Sequence, residues 1–186
     1  MGSLRHSLRA RAGLRLALAA ALACLVPVPA AGQAATVRVV GDAAGARLQV
    51  DGRDFLIRGM NWDYFPIGQN YTYSLWRQPE AVIRSALDRE MSLLKAMGVN
   101  AIRVYADGVS PRWVQYIYER YGIYTMLNHP LGRYGVTVGG VFRPQTDYSD
   151  PRVRAALTAE VLALVERFRG TPGVLLWLLG NENNYG

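Results

Sequence analysis

The sequence predicts an α/β fold with a parallel β-sheet, because short apolar runs alternate with longer segments of helical periodicity. Four runs have the length of strands, at 59–62, 99–105, 123–127 and 174–179, and three amphipathic segments separate them. Helical crossovers of this kind join neighbouring parallel strands. A closed (β/α)8 TIM barrel typically needs about 250 residues. We therefore predict only about the first four βα units of such a barrel.

The alternative fold is a doubly wound open sheet. Such a sheet normally carries a glycine-rich phosphate-binding turn directly after its first strand. The segment Gly59-Met60-Asn61-Trp62 does not have that pattern, so the barrel is the favoured prediction.

A β-hairpin is predicted just before the first barrel strand. The segments 46–50 and 53–58 flank Asp51-Gly52. Asp-Gly is favoured in two-residue hairpin turns because both positions of the turn need a positive φ.

Three helices are predicted from apolar spacing and from their end signals, over 79–98, 110–122 and 150–170. Each has a proline in its first turn or directly before it, and a glycine near its end, as helices commonly do. A long loop is expected between the third strand and Tyr148. The side chains predicted to face the core are Val82, Ile83, Ala86, Leu87, Met91, Leu94 and Met97 in the first helix, and Val153, Leu157, Val161, Leu164, Val165 and Phe168 in the third.

Residues 1–30 have the pattern of a secretory signal peptide: an arginine-rich start, an apolar stretch over 16–26, and small residues at two plausible cleavage sites. We expect the mature chain to begin between Ala31 and Ala35 and to form one partial barrel domain over 31–186. An uncleaved anchor and a lipid attached to Cys24 are the alternatives. The expected location is therefore secreted or periplasmic, with no membrane association after cleavage.

The formal charge of +7 overstates how basic the mature chain is. Four of the 21 basic residues lie in the leader, which leaves 17 against 14 acidic residues and a scattered net charge of +3. This is not the clustered basic surface of a nucleic-acid-binding protein. Cys24 is the only cysteine, and His129 is the only histidine after residue 30. A histidine-based metal site is therefore unsupported, and no cofactor is predicted.

The most informative residues follow the last apolar run. Asn181 and Glu182 come directly after the strand predicted at 174–179. The carboxyl ends of parallel strands are where α/β enzymes place their chemistry. A Glu there can donate a proton to a glycosidic oxygen, and an Asn can bond a sugar hydroxyl. The alternative is a Glu that is merely solvated in a loop.

These residues carry a family resemblance. Gly180-Asn181-Glu182 after a buried fourth strand resembles the acid/base signature of clan A retaining glycoside hydrolases, which are (β/α)8 enzymes. The segment 100–105 resembles the second strand of family 2 β-glycosidases and fungal β-glucanosyltransferases. The segments 48–52 and 55–61 resemble their opening hairpin and first strand. The resemblance implies that Glu182 is the acid/base, that Arg103 holds the nucleophile carboxylate, and that the substrate is a β-linked glycan.

Two departures from the family pattern bear on activity. Asn128-His129-Pro130 stands where an acidic residue is usual at the end of the third strand. The seventh strand, which carries the family's nucleophile, is absent from this sequence. We therefore expect a truncated chain with one catalytic carboxylate. The alternative function is a non-catalytic carbohydrate-binding fragment or an inactive half-barrel.

Other residues at strand ends are candidates for sugar contacts. Trp62 and Tyr105 could stack on sugar faces, although aromatic residues at such positions are as often core residues. His129 could contact a sugar or could be satisfied by the backbone. Arg103 has an alternative role in a structural ion pair. The complete set assigned to substrate binding is Asn61, Trp62, Tyr105, Asn128, His129 and Asn181; Asp63 and Asp107 are further acids near the strand ends.

Overall fold

The computed structural model describes residues 32–43, 45–106 and 108–183, so the predicted signal peptide lies outside the described residues. The described part contains nine strands and three α-helices. In chain order these are β1 Val37–Asp42, β2 Gly45–Val50, β3 Arg53–Asp54, β4 Gly59–Asn61, α1 Glu80–Ala96, β5 Ala101–Tyr105, α2 Pro111–Tyr121, β6 Tyr124–His129, β7 Val136–Val138, β8 Val141–Arg143, α3 Pro151–Phe168 and β9 Val174–Leu179.

Four strands form a parallel sheet in the order β4-β5-β6-β9, which is their order along the chain. One helix stands between each consecutive pair, α1, α2 and α3 in turn. This confirms the predicted α/β alternation and the parallel sheet. Sequential strand order is that of a barrel wall, whereas a doubly wound sheet reverses its order at a switch point. Within the described residues the sheet is open.

The predicted hairpin is present, with Asp51 at φ 50° and Gly52 at φ 76° in its turn. Its second strand is shorter than predicted and ends at Asp54. Phe55 still donates its backbone N–H to Leu48 O over 2.8 Å, and its ring packs edge-on against Tyr124 with ring centroids 5.3 Å apart. A strand that was not predicted, β1, pairs with the whole length of β2. Val50 joins Ala101, Tyr124 and Leu175 in a small core at the amino end of the parallel sheet.

The helices lie where they were predicted, within a few residues. In α1, five of the predicted core residues are buried, but Val82 is 43% exposed and Met97 is 68% exposed. Those two predictions were wrong. Val82 lies about 100° around the helix from Ile83, beyond the margin of the buried stripe, and Met97 follows the last helical residue. In α3, Val161 and Val165 are only partly buried.

The loop predicted before Tyr148 contains a short antiparallel hairpin, β7–β8. Its turn consists of Gly139 at φ 58° and Gly140 at φ 79°, as a two-residue hairpin turn requires. Asp150 caps α3 by accepting a hydrogen bond from the backbone N–H of Arg152. The described residues contain no helix that is long and apolar enough to cross a membrane.

The two faces of the parallel sheet differ sharply. Ile102, Val104 and Leu127 point to one side and pack against α1 and α2 in the main core. Side chains alternate along a strand, so Arg103 and Tyr105 point to the other side. Arg103 and Tyr105 therefore lie on the face that would become the interior of a closed barrel.

Candidate active site

Arg103, on β5, reaches both neighbouring strands and the turn after β9. Its Nε donates to Asn128 Oδ1 over 3.0 Å, and its Nη2 also donates to that oxygen. Nη2 donates to Asn181 Oδ1 over 2.7 Å, and Nη1 to Asn61 Oδ1 over 3.5 Å. One guanidinium thus gathers residues from β4, from β6 and from the turn after β9.

All of these partners are neutral amides. Within 32–43, 45–106 and 108–183, Arg103 makes no ion pair, so the alternative of a structural ion pair finds no support. Amide oxygens orient the guanidinium but leave its positive charge in place. The ring of Tyr105 lies 5.2 Å from the guanidinium carbon and is 39% exposed. The face therefore presents a fixed positive charge beside an accessible aromatic ring.

Asn128 is completely buried, and its side-chain amide is fully engaged. Its Oδ1 accepts from Arg103, while its Nδ2 donates to the carbonyls of His129 at 3.0 Å, Leu178 at 3.1 Å and Gly180 at 2.9 Å. The sequence assigned Asn128 to sugar contact. The structure places it beneath the surface, where it holds the protein's own groups.

The turn after β9 is built around Asn183. Its Oδ1 accepts from the backbone N–H of Asn181 over 2.6 Å, and its Nδ2 donates to the hydroxyl of Tyr148 over 2.7 Å. Gly180 has φ 107°, and a Cβ at this position would lie 2.6 Å from Asn183 Oδ1. Only glycine fits both the backbone angle and the space.

Glu182 lies at the tip of this turn, exposed and with φ 53°. The left-handed region is uncommon for residues other than glycine, and Asp51 and Leu131 also adopt it. No hydrogen bond or ion pair to Glu182 occurs among the described residues. Because Arg103 contacts Asn181, the guanidinium and Glu182 lie at the same end of the sheet, as the strand order predicted.

Two predicted sugar contacts lie on the helix side of the sheet. Trp62 is 7% exposed and packs against Trp76 with ring centroids 6.0 Å apart, so it is a core residue and not an open stacking surface. Asn61 faces Arg103, so the next side chain along the chain must point the other way. His129 accepts from the backbone N–H of Leu131 over 3.0 Å, and its Nε2 lies 3.5 Å from Glu160 of α3. This placement favours the alternative in which the backbone satisfies the histidine.

Sequence reasoning missed three residues that shape the site. The hydroxyl of Tyr134 accepts from Asn181 Nδ2 over 2.9 Å, and the residue is 61% exposed. Tyr148 and Asn183 stabilise the turn after β9 through the hydrogen bond between the Asn183 amide and the Tyr148 hydroxyl. Aromatic residues in the loop after the third predicted strand were the available signal for the two tyrosines.

The acids of the first two loops are less informative. Asp63 is exposed, and its carboxylate accepts from the backbone N–H of Tyr64 over 2.8 Å. Asp107 lies outside the described residues. No cluster of three potential metal-ligating side chains occurs in the part of the chain that the structure describes.

Comparison with known proteins identifies the family. The model of the family described as "Glycosyl hydrolases family 2, TIM barrel domain" matches residues 44–186. A β-galactosidase from Lactococcus lactis subsp. lactis (strain IL1403) is 26% identical over 141 residues, which are 75% of this chain and 12% of that protein. A β-galactosidase from Enterobacter cloacae is 28% identical over 140 residues, again 75% of this chain and 12% of the relative. The chain thus spans about an eighth of the length of these curated relatives.

Among solved structures, the "Crystal structure of ScGas2 in complex with compound 8" matches 78% of this chain and 28% of that one, with 17% identity and a TM-score of 0.46. The family match extends over most of the sequence and includes every residue of the site described above. The chain belongs to the TIM-barrel domain family of the family 2 glycosyl hydrolases, and so to the clan A glycoside hydrolases.

Proposed function

We propose that this chain forms the first four βα units of the catalytic barrel in an exported, retaining glycosidase or transglycosylase that acts on a β-linked glycan. The observation that carries the proposal is the convergence of Asn61, Arg103, Asn128 and Asn181 at one end of the sheet. Glu182 follows directly on that cluster. The signal-peptide pattern of residues 1–30 supports export.

Glu182 is proposed as the general acid and base. As a carboxylic acid it would protonate the glycosidic oxygen as that bond breaks, and as a carboxylate it would then accept a proton from water or from an acceptor sugar. Its exposure and its freedom from other described partners leave both oxygens able to meet a substrate. The fixed turn around Asn183 supplies the orientation that proton transfer needs.

Arg103 is proposed to hold the nucleophile. Its amide partners fix the plane of the guanidinium without neutralising it, so a carboxylate placed above it would gain charge-assisted hydrogen bonds. Double displacement needs that carboxylate about 5 Å from the acid/base. The family resemblance places the nucleophile on the seventh strand, and we propose that a later segment of the protein supplies it. The small share of the curated relatives that this chain spans supports this.

A β-galactoside is the first substrate to test, because the relatives named above are β-galactosidases. The exposed rings of Tyr105 and Tyr134 lie at the same end of the sheet and could stack on the apolar faces of sugars. An aryl β-glucoside belongs in the same panel as the comparison substrate.

The test uses the natural exported protein with aryl β-galactosides and β-glucosides, and follows the first-formed anomer by proton NMR. Retention of the β-configuration is expected, and added acceptor sugar should yield a transfer product if the enzyme is a transglycosylase. A first-formed α-anomer would contradict double displacement.

A second candidate function is sugar binding without turnover. It is favoured by one observation: none of the described carboxylates pairs with Arg103. Calorimetric binding of an oligosaccharide with no turnover of any aryl glycoside by the natural protein would support this function over catalysis.

A further inference from the structure

One buried side chain, Asn128, connects the guanidinium of Arg103 to the turn that carries Glu182. Asn128 accepts hydrogen bonds from Arg103 with its Oδ1 and donates to three backbone carbonyls with its Nδ2. Two of those carbonyls belong to Leu178 and Gly180, at the point where β9 ends and the turn bearing Glu182 begins. The two N–H protons of the amide are thus shared among three carbonyl oxygens.

The chemistry of the partners fixes the orientation of the amide. A guanidinium only donates, and a backbone carbonyl only accepts. The oxygen of Asn128 must therefore face Arg103, and its nitrogen must face Leu178 and Gly180. A flipped amide would set its N–H groups against the N–H groups of Arg103 and its oxygen against the carbonyl oxygens. Only one orientation of the amide therefore satisfies every contact.

We infer that Asn128 is a positioning residue that fixes the turn carrying Glu182 relative to the guanidinium of Arg103. The inference rests on the proposed function for the role of Glu182, but not for the hydrogen-bonded connection itself. Glu182 does not contact Asn128; it is held through the backbone of Gly180 and through Asn181, which bonds the same guanidinium.

The connection requires an amide and neither a carboxylate nor an apolar side chain. Asn128→Asp would keep an oxygen for Arg103 and add charge attraction, but its second oxygen would face three carbonyl oxygens. Asn128→Leu has a similar shape but satisfies neither side. Both variants remove the hydrogen bonds that Asn128 Nδ2 donates to Leu178 O and Gly180 O, and Asn128→Asp also sets a carboxylate oxygen against them, which is costly at a buried position.

Hydrogen–deuterium exchange tests the connection without reference to activity. The reporters are the amides of Gly180, which donates to His129 O over 2.8 Å, and of Asn181. In folded Asn128→Asp these amides should exchange at least about tenfold faster than in the wild type, since the turn loses the hydrogen bonds from Asn128 Nδ2 to Leu178 O and Gly180 O. Unchanged exchange in a folded variant would overturn the inference.

Thr125→Val is the matched control. Thr125 lies on the same strand as Asn128, is equally buried, and its hydroxyl has no hydrogen-bond partner among the described residues. Its removal should leave exchange at Gly180 and Asn181 within about twofold of the wild type, because no bond is lost. Acceleration by Thr125→Val equal to that of Asn128→Asp would show a general loosening of β6 and would overturn the specific role.

A measurement on the wild type covers the case in which neither Asn128 variant folds. The side-chain amide protons of Asn128 should exchange much more slowly than those of Asn61, which is exposed and whose Oδ1 accepts from Arg103 over a long 3.5 Å. Equal, fast exchange of both side chains would overturn the inference.

Kinetics then separate positioning from simple structural support. If the proposed function holds, Asn128→Asp should lower kcat more than it raises KM, and the loss should be larger for poor leaving groups, as displacement of an acid catalyst predicts. A uniform loss across leaving groups would contradict positioning of Glu182. If no glycoside is turned over by the wild type, the exchange experiments still decide whether the connection exists.

Discussion

Arg103 and Asn181 are 78 positions apart in the chain, and Arg103 Nη2 lies 2.7 Å from Asn181 Oδ1. The contact joins the second and fourth strands of a parallel sheet across the strand between them. The contact is possible because Arg103 of β5 and Asn128 of β6 point to the same face of the sheet, where the guanidinium bonds Asn128 and extends on to Asn181. A residue that sequence alone marks as an oddity, an arginine within an apolar strand, is the centre around which the site is arranged.

Arg103→Lys should reduce kcat/KM of the natural enzyme by at least about tenfold, because an ammonium group cannot reproduce the planar fork that meets several oxygens at once. Michaelis–Menten kinetics on an aryl β-galactoside would measure this. Arg120→Lys is the control, since Arg120 is an exposed residue of α2 that pairs with Asp88 over 3.3 Å, away from the strand ends. Full activity of Arg103→Lys would contradict the carboxylate-holding role.

The architecture was largely predictable because it depends on local signals. Asp51-Gly52 fixes one turn, and Gly122 ends α2 in the left-handed region at φ 67°. The alternation of Ile102, Arg103 and Val104 placed Arg103 on its own face of the strand. These features follow from residue type and period, so a single sequence reveals them.

The roles of individual side chains were less predictable because they depend on the long-range register. Nothing near Asn128 in the sequence indicates that its amide meets Leu178 and Gly180, 50 and 52 positions away. The burial of Trp62 likewise depends on Trp76 and the core beneath α1. Strand ends locate a site, but only packing decides which residues are accessible within it.

Gly180→Ala should destabilise the turn and reduce activity. The new methyl group would have to share space with Asn183 Oδ1 at 2.6 Å, and φ 107° is unfavourable for alanine. Gly170→Ala is the control, because Gly170 also has a positive φ, 76°, but has no atom within 4 Å of the added carbon. Thermal unfolding should show a lower Tm for both variants and a larger loss for Gly180→Ala. Equal losses of Tm would mean that Asn183 moves aside and that its contact with the new methyl group adds no destabilisation.

Asp150 should give α3 a pH-dependent contribution to stability. Hydrogen bonds from the Arg152 side chain and backbone, and from Arg143, hold the pKa of Asp150 well below its usual value. A folded-state pKa below the unfolded one means that the stabilisation is present at neutral pH. It is lost as pH falls below the unfolded value of about 3.9 toward the folded one.

Asp150→Ala should therefore lower Tm at pH 7, and the difference from the wild type should shrink as the pH is lowered through that range. Asp150→Asn, which keeps a capping oxygen without the charge, should lie between the two at pH 7. A Tm difference that does not change with pH would show that the charge of Asp150 has no part in the stabilisation.

Tyr134→Phe should reduce activity severalfold while leaving stability almost unchanged. It removes the hydroxyl that accepts from Asn181 Nδ2 over 2.9 Å but keeps the exposed ring. Asn181 would keep its bond to Arg103 but lose one of its restraints. Tyr71→Phe, at an 87% exposed position, is the control and should behave as the wild type. Kinetics and thermal melts of both variants would check this, and wild-type activity of Tyr134→Phe would remove Tyr134 from the site.

Glu182→Gln should slow the natural enzyme by roughly a hundredfold or more on substrates with poor leaving groups, because the amide cannot donate the proton that such groups need. Activated aryl groups leave without that help, so the glycosylation step should lose less with them. Measuring kcat/KM for both substrate types isolates this step, since kcat can report deglycosylation instead. Glu119→Gln, on the outer helix α2, is the control for loss of a carboxylate and should be active on both. If Glu182→Gln lost the same factor in kcat/KM on both substrates, Glu182 would not be the proton donor, and the function proposed for the turn after β9 would have to be abandoned.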